Sequence, residues 1–121
     1  AYGLPRNTEE EKAKRDEVME KALKAAGEVP LEIMKKSLEA INLHEELSVK
    51  GTKIAISDVG VGVAFCKSAL LGASLNVYIN TKLMKNREIA EKLNKEAEEL
   101  LKAGIEKADK IYSSIETQLK G

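Results

Sequence analysis

Residues 59–81 read VGVGVAFCKSALLGASLNVYINT, 23 positions carrying one charge, Lys67, in a chain that is 33% charged overall. A segment so apolar must be hidden from water on most of its sides. Its length and its Leu, Ala and Val content read as a buried helix. The Val-Gly alternation at 59–63 is weak in helix propensity, so a short strand competes there. The segment is not a plain core helix, because it also holds Cys66, Asn76, Asn80 and three glycines, with Ser57 and Asp58 at its entrance. Polar groups kept on a buried helix need partners, so a chemical site, if there is one, is expected to include this helix. A membrane span fits by length. Mid-segment Lys67, the two asparagines, the Gly-Val-Gly-Val opening and the lack of an aromatic belt argue against one.

The flanking sequence is helical too. Leu4–Asn7 reads as a turn, and Thr8-Glu9-Glu10-Glu11 as a capping box opening a first helix to about Ala26. Gly27 and Pro30 punctuate, and a second helix is expected from Pro30 to about Val49, the alternative being one long helix kinked at Pro30. Gly51-Thr52-Lys53 reads as a loop. Ser57 or Asp58 then caps the apolar helix, which runs to Asn80. After a break at 82–86 comes a last helix, Arg87 to Leu119. Its apolar residues Ile89, Leu93, Ala97, Leu100, Gly104, Ala108, Ile111, Ile115 and Leu119 recur at steps of three or four. The expectation is an all-α, antiparallel bundle of about four helices, forming one domain over residues 1–121. A last helix of roughly 50 Å and this much apolar surface on 121 residues point to packing as a homodimer or higher homo-oligomer.

Composition removes several classes. Twenty Lys plus Arg balance twenty Asp plus Glu, and the signs are interleaved, so no field favours nucleic acid or an anionic membrane. One Cys and one His exclude a disulfide framework, oppose a zinc site and suit a reducing, cytoplasmic interior. No phosphate loop, dinucleotide fingerprint or nucleophile elbow is present. Cys66 reads as a small core residue, and His44, beside Glu45 and Glu46, as a surface histidine.

On a helical wheel of about 100° per residue, Asp58, Gly62, Ala69, Gly72, Asn76 and Asn80 share one small, polar face. Val61, Val63, Phe65, Leu70, Leu71, Leu75 and Ile79 are read as lying on the others. Small residues let a helix or a ligand approach the backbone. Asp58 and Asn76 stand about 27 Å apart along a straight helix, so one small group can meet both only if an antiparallel second copy carries the distant end across. Ser57 or Asp58 would equally serve as a cap. Asn76 and Asn80 would equally serve as buried amides bonded to neighbouring helices.

The runs Ala55-Ile56-Ser57-Asp58-Val59-Gly60-Val61 and Ala69-Leu70-Leu71-Gly72-Ala73-Ser74-Leu75-Asn76-Val77-Tyr78-Ile79-Asn80 resemble the formiminotetrahydrofolate cyclodeaminase family, which also contains methenyltetrahydrofolate cyclohydrolases. The opening Ala1-Tyr2-Gly3-Leu4-Pro5-Arg6 and Gly27-Glu28-Val29-Pro30-Leu31 are similar as well. The family's turn with a proline and three glycines is not in this sequence, which looks like the C-terminal part of the family domain. The resemblance implies an all-helical, dimeric domain binding a folate in a groove between helices. The reaction is then closure of 5-formiminotetrahydrofolate to 5,10-methenyltetrahydrofolate with loss of ammonia, or hydration of the methenyl carbon to 10-formyltetrahydrofolate. Neither reaction takes a metal or an organic cofactor. By the same resemblance Asp58 would stabilise the cationic carbon or relay a proton. Ser57 would orient the amine or water. Asn76 and Asn80, with Gly72 giving close access, would bind the pterin edge, and Lys82 or Lys53 would meet the glutamate tail. A non-catalytic helical assembly module, with the asparagines as structural glue, is the alternative.

Overall fold

The computed structural model describes residues 8–50 and 53–121, less the side chains of Lys50, Lys53 and Ile54. The turn expected at Leu4–Asn7 and the loop residues Gly51 and Thr52 lie outside the described residues. Three helices follow one another: α1 Glu9–Lys50, α2 Lys53–Leu83 and α3 Arg87–Lys120. Among the described residues the all-helical expectation is met, with three helices in place of about four.

The difference lies at Gly27 and Pro30, which α1 crosses without a break. A proline inside a helix removes one N–H and leaves the carbonyl four residues earlier without its donor. That carbonyl belongs to Ala26, and the Asn80 side-chain amide of α2 reaches it at 3.4 Å. The gap is filled from the neighbouring helix. Pro30 itself is buried, and Leu31 and Met34 just beyond it enter the core. Tertiary packing therefore carries the helix through a residue that local propensity would make a boundary.

The ends agree with the chemistry of capping. Thr8 Oγ1 accepts from the Glu11 N–H at 3.0 Å, and Asn86 Oδ1 accepts from the Ile89 N–H at 3.2 Å. Between α2 and α3, the Glu20 carboxylate of α1 accepts from the backbone N–H groups of Lys85 and Asn86, both at 2.8 Å. The Arg87 guanidinium donates to Thr81 O in the last turn of α2 at 2.8 Å and to Met84 O just past its end at 3.0 Å. The tight turn is thus fastened to α1 on one side and to α2 on the other.

The register is fixed by pairs along the whole length. α2 runs antiparallel to α1, with Ala26 meeting Asn80 at one end and His44 lying on Gly62 near the other. It is also antiparallel to α3, through Thr81–Asn94 at 2.6 Å, Leu70 against Gly104 and Lys67–Asp109 at 2.7 Å. The core between the three helices holds Met34, Ile41, Val63, Leu70, Val77 and Thr81, all essentially without exposure. The mid-helix charge that stood out in the sequence, Lys67, reaches the edge of the bundle and pairs with Asp109. Of the last helix's stripe, Leu93, Ala97, Gly104, Ala108, Ile111 and Ile115 are buried, while Leu119 is 56% exposed.

Candidate functional site

α2 is the central helix, and only one side of it is covered. Ile56, Val59, Val63, Leu70, Ala73 and Val77 face α1 and α3. Asp58, Ala69, Gly72 and Asn76 are exposed on the side facing away from the bundle. The small polar face is real, but it is not segregated from the large apolar residues as expected: Phe65, seven residues on, stands only about 20° from Asp58 and shares that face. Phe65 is 72% exposed, Leu75 69%, Ile79 56% and Val61 55%. The open face is therefore a mixed strip, apolar along most of its length with Asp58 near one end and Asn76 near the other. By length and hydropathy, Ala55–Leu83 could also cross a membrane.

Asp58 and Ser57 are not caps. α2 begins at Lys53, more than a turn earlier, so both lie past the free N–H groups of the helix start. Adjacent residues on a helix diverge by about 100°, and these two serve different surfaces. Ser57 lines a groove of about 580 Å³ between α2 and α3, whose walls include Val61, Phe65, Tyr112, Ile115 and Glu116. Asp58 stands outside that groove, on the open face and toward α1. A second groove, of about 610 Å³, lies between α1 and α2 and is lined by Val29, Ile33, Ser37, Phe65, Cys66 and Ala69. Phe65 forms the ridge between the two grooves.

The asparagines separate as well. The Asn80 amide donates to its own helix at Asn76 O, 2.7 Å, and to Ala26 O on α1. Its hydrogens are thus engaged in joining two helices. Asn76 presents its side chain on the open face. Among the described residues no atom outside its own stretch of helix lies within 4 Å of where a Gly72 Cβ would stand, so none of them uses the close approach it allows. Lys82 is exposed in the last turn of α2, two residues and hence about 200° round from Asn80. The side chain of Lys53 lies outside the described residues. Asp58 and Asn76 share a face but are separated by about 27 Å of straight helix.

Two features escaped sequence reasoning. His44 is not a free surface histidine. It is partly buried, its Nδ1 lies 2.6 Å from Ala40 O, and its ring occupies the space above Gly62. A carbonyl only accepts, so Nδ1 carries the proton and Nε2 faces α2, one turn from Asp58. The other is the α3 wall of the groove beside Ser57. Tyr112 and Glu116 are more than fifty residues away in sequence, and nothing local signals the register that brings them there. Cys66 is partly buried, and burial pushes its thiol up. Among the described residues, no three His, Cys, Asp or Glu side chains converge as a metal site would require.

The sequence model of the formiminotransferase-cyclodeaminase family matches residues 1–99. The chain belongs to that family. A protein of Methylorubrum extorquens named methenyltetrahydrofolate cyclohydrolase is 41% identical over 98% of this chain and 57% of its own length. Formimidoyltransferase-cyclodeaminases of rat and of Dictyostelium discoideum are 29% and 32% identical, over 98% and 92% of this chain but only 22% and 20% of theirs. The chain therefore spans little more than half of the cyclohydrolase and about a fifth of the larger enzymes. The match begins at residue 1 and includes both the Ile-Ser-Asp stretch and the Leu-Asn-Val-Tyr-Ile-Asn stretch of α2. The resemblance read from those residues is borne out, and it places the open face of α2 within the family domain.

Proposed function

We propose that the chain is the helical core of a folate one-carbon enzyme, acting as a methenyltetrahydrofolate cyclohydrolase or a formiminotetrahydrofolate cyclodeaminase in the cytoplasm. The observation that carries this is an exposed carboxylate, Asp58, on a largely apolar face of a family helix that also holds Asn76. Family membership and the names of the relatives supply the reaction class.

Both reactions pass through a carbon held between N5 and N10 that carries positive charge. A fixed carboxylate against an apolar wall stabilises such a cation more strongly than water does. In the cyclohydrolase direction water adds to the methenyl carbon and the carboxylate takes one of its protons; the bond to N5 then breaks as the remaining hydroxyl proton passes to N5, leaving the 10-formyl group. In the cyclodeaminase direction N10 attacks the carbon of the protonated formimino group, the N10 proton passes to the departing –NH2, and ammonia leaves the methenyl cation. Asp58 is the proton relay in either case. Side chains carry both steps without a metal or an organic cofactor. Asn76 offers an amide donor and acceptor to the pterin edge. Asn80 is assigned to holding α1 on α2, Ser57 to the α2–α3 groove, and Lys82 remains the candidate for the polyanionic glutamate tail.

The test is titration of folinic acid against the chain and against any longer natural form that contains it, followed by calorimetry. Saturable binding that weakens when Asp58 or Asn76 is replaced by Ala is the expected result. No binding by any form would favour the non-catalytic assembly module instead.

A further inference from the structure

The chain has one histidine, and the fold holds it in one tautomer against α2. The His44 Nδ1 lies 2.6 Å from Ala40 O, one turn back on α1. That contact assigns the ring proton to Nδ1 and leaves Nε2 with a free lone pair. Among the described residues Nε2 has no hydrogen-bond partner. The ring lies where a side chain of residue 62 would stand. Nε2 is its nearest atom to the place of a Gly62 Cβ, with Cδ2 at 2.9 Å and Cε1 at 3.3 Å. Glycine is what admits the ring there.

This position has a chemical consequence. Gly62 follows Asp58 by four residues, and Cβ positions at that spacing are about 5–6 Å apart on one helix face. Nε2 therefore stands beside α2 about one turn from the Asp58 carboxylate, within reach of it directly or through one water. Asp58 is exposed and the His44 ring half-buried, so α2 and α1 bring one proton-accepting group each to the same stretch of surface. Hydration of the methenyl carbon moves two protons. One leaves as water adds, and one passes from the hydroxyl to N5 as the carbon–N5 bond breaks. Asp58 accounts for the first.

Resting on the folate reading, we infer that His44 is a second catalytic residue, whose Nε2 carries the second proton. The hydroxyl gives its proton to Nε2 as the C=O bond forms. The electron pair of the breaking bond goes to N5, the imidazolium returns the proton there, and His44 ends neutral. Oxygen and N5 are bonded to one carbon, so a single ring nitrogen spans both. In the cyclodeaminase direction N10 and the departing –NH2 share a carbon in the same way, and the same two side chains face them. A ring that merely filled the hole over Gly62 would need no free nitrogen.

The test compares the chain, or a longer natural form that contains it, with His44→Gln and His44→Ala. Glutamine keeps a polar side chain of similar reach, but its amide does not carry protons. In both variants kcat is expected to fall about 10² to 10⁴-fold, with folinic acid affinity by calorimetry and the melting temperature close to wild type. Added imidazole is expected to restore turnover of His44→Ala saturably, by entering the space over Gly62, and not that of His44→Gln, whose side chain occupies it. Near-normal turnover by His44→Gln beside an active wild type overturns the proposal and leaves the folate reading standing. So does a folded His44→Ala variant that has lost activity and is not rescued by imidazole. If His44→Ala does not fold, His44→Gln decides. Wild-type forms that neither bind folinic acid nor turn over either substrate overturn the folate reading, and this role of His44 with it.

Discussion

The structural role of Asn80 can be separated from any ligand role by a double-mutant cycle with Pro30. Pro30 deprives Ala26 O of its helical donor, and the Asn80 amide is the replacement at 3.4 Å. Replacing Pro30 by Ala restores an N–H that can bond Ala26 O within α1, and the Asn80 contact then becomes redundant. Asn80→Ala alone removes a bond of long geometry at a partly exposed site, worth about 0.5–1.5 kcal/mol. Against this, Ala gains roughly 0.6 kcal/mol of helix propensity over Asn. The single variant therefore changes stability little. The propensity gain is the same in both backgrounds and cancels in the cycle. The coupling energy is expected at about 0.5–1 kcal/mol, with Asn80→Ala more costly in the wild-type chain than in the Pro30→Ala background. Urea unfolding at fixed protein concentration reads it, since association would otherwise shift the midpoint. A coupling near zero would show that the amide does not serve the proline gap, and would return Asn80 to the ligand-binding candidates.

The remaining predictions concern packing, reactivity and pH. Gly62→Ala drives a methyl into the His44 ring, and Gly104→Ala drives one into Leu70 of the core. Each should cost about 1–3 kcal/mol of overpacking, reduced by up to about 1 kcal/mol of helix propensity, whereas Gly72→Ala, with open space above it, should not destabilise the single chain; thermal melts compare the three. Glu20→Ala leaves the N–H groups of Lys85 and Asn86 without their carboxylate and should lower stability by about 1–2 kcal/mol. Because burial raises the Cys66 thiol, alkylation at neutral pH should be slow in the folded chain and accelerate in denaturant. Hydrogen bonding from Lys85 lowers the Asp16 carboxyl. Its stabilisation is present above the unfolded carboxylate value of about 3.9 and is lost as pH falls through the lowered folded value, an acid-limb effect that Asp16→Asn should remove.

Periodicity was enough to place α3, whose expected first residue, Arg87, agrees with the structure, although its N-cap Asn86 was not read from the sequence. Its alternation of buried and exposed residues is complete within the helix, and no other element is needed to interpret it. Pro30 was misleading for the opposite reason. Whether a proline ends a helix depends on what replaces the missing hydrogen bond, and here the replacement comes from Asn80, fifty residues away. The start of α2 was set too late because Ser57 and Asp58 resemble a cap, and the helix begins instead at Lys53. The polar face of α2 was legible from the wheel. The place of Phe65 on that face was legible there too, but the exposure of Phe65, Leu75 and Ile79 was not, because a buried-looking sequence does not say whether its own chain or another one does the burying. His44 on Gly62 and Tyr112 beside Ser57 depend on interhelix register, which leaves no local mark.

The central claim is that Asp58 serves the chemistry of a folate carbon. It is tested most directly by turnover of 5,10-methenyl- and 5-formiminotetrahydrofolate, followed through the near-ultraviolet absorbance of the methenyl product or substrate. The chain, or a longer natural form that contains it, is compared with its Asp58→Asn variant. Asn and Asp have similar helix propensities, and position 58 is exposed, so the fold should survive with an unchanged melting temperature. The predicted result is activity on one of the two substrates that falls about 10² to 10³-fold in the variant. A variant with the same melting temperature and undiminished turnover would contradict the assignment.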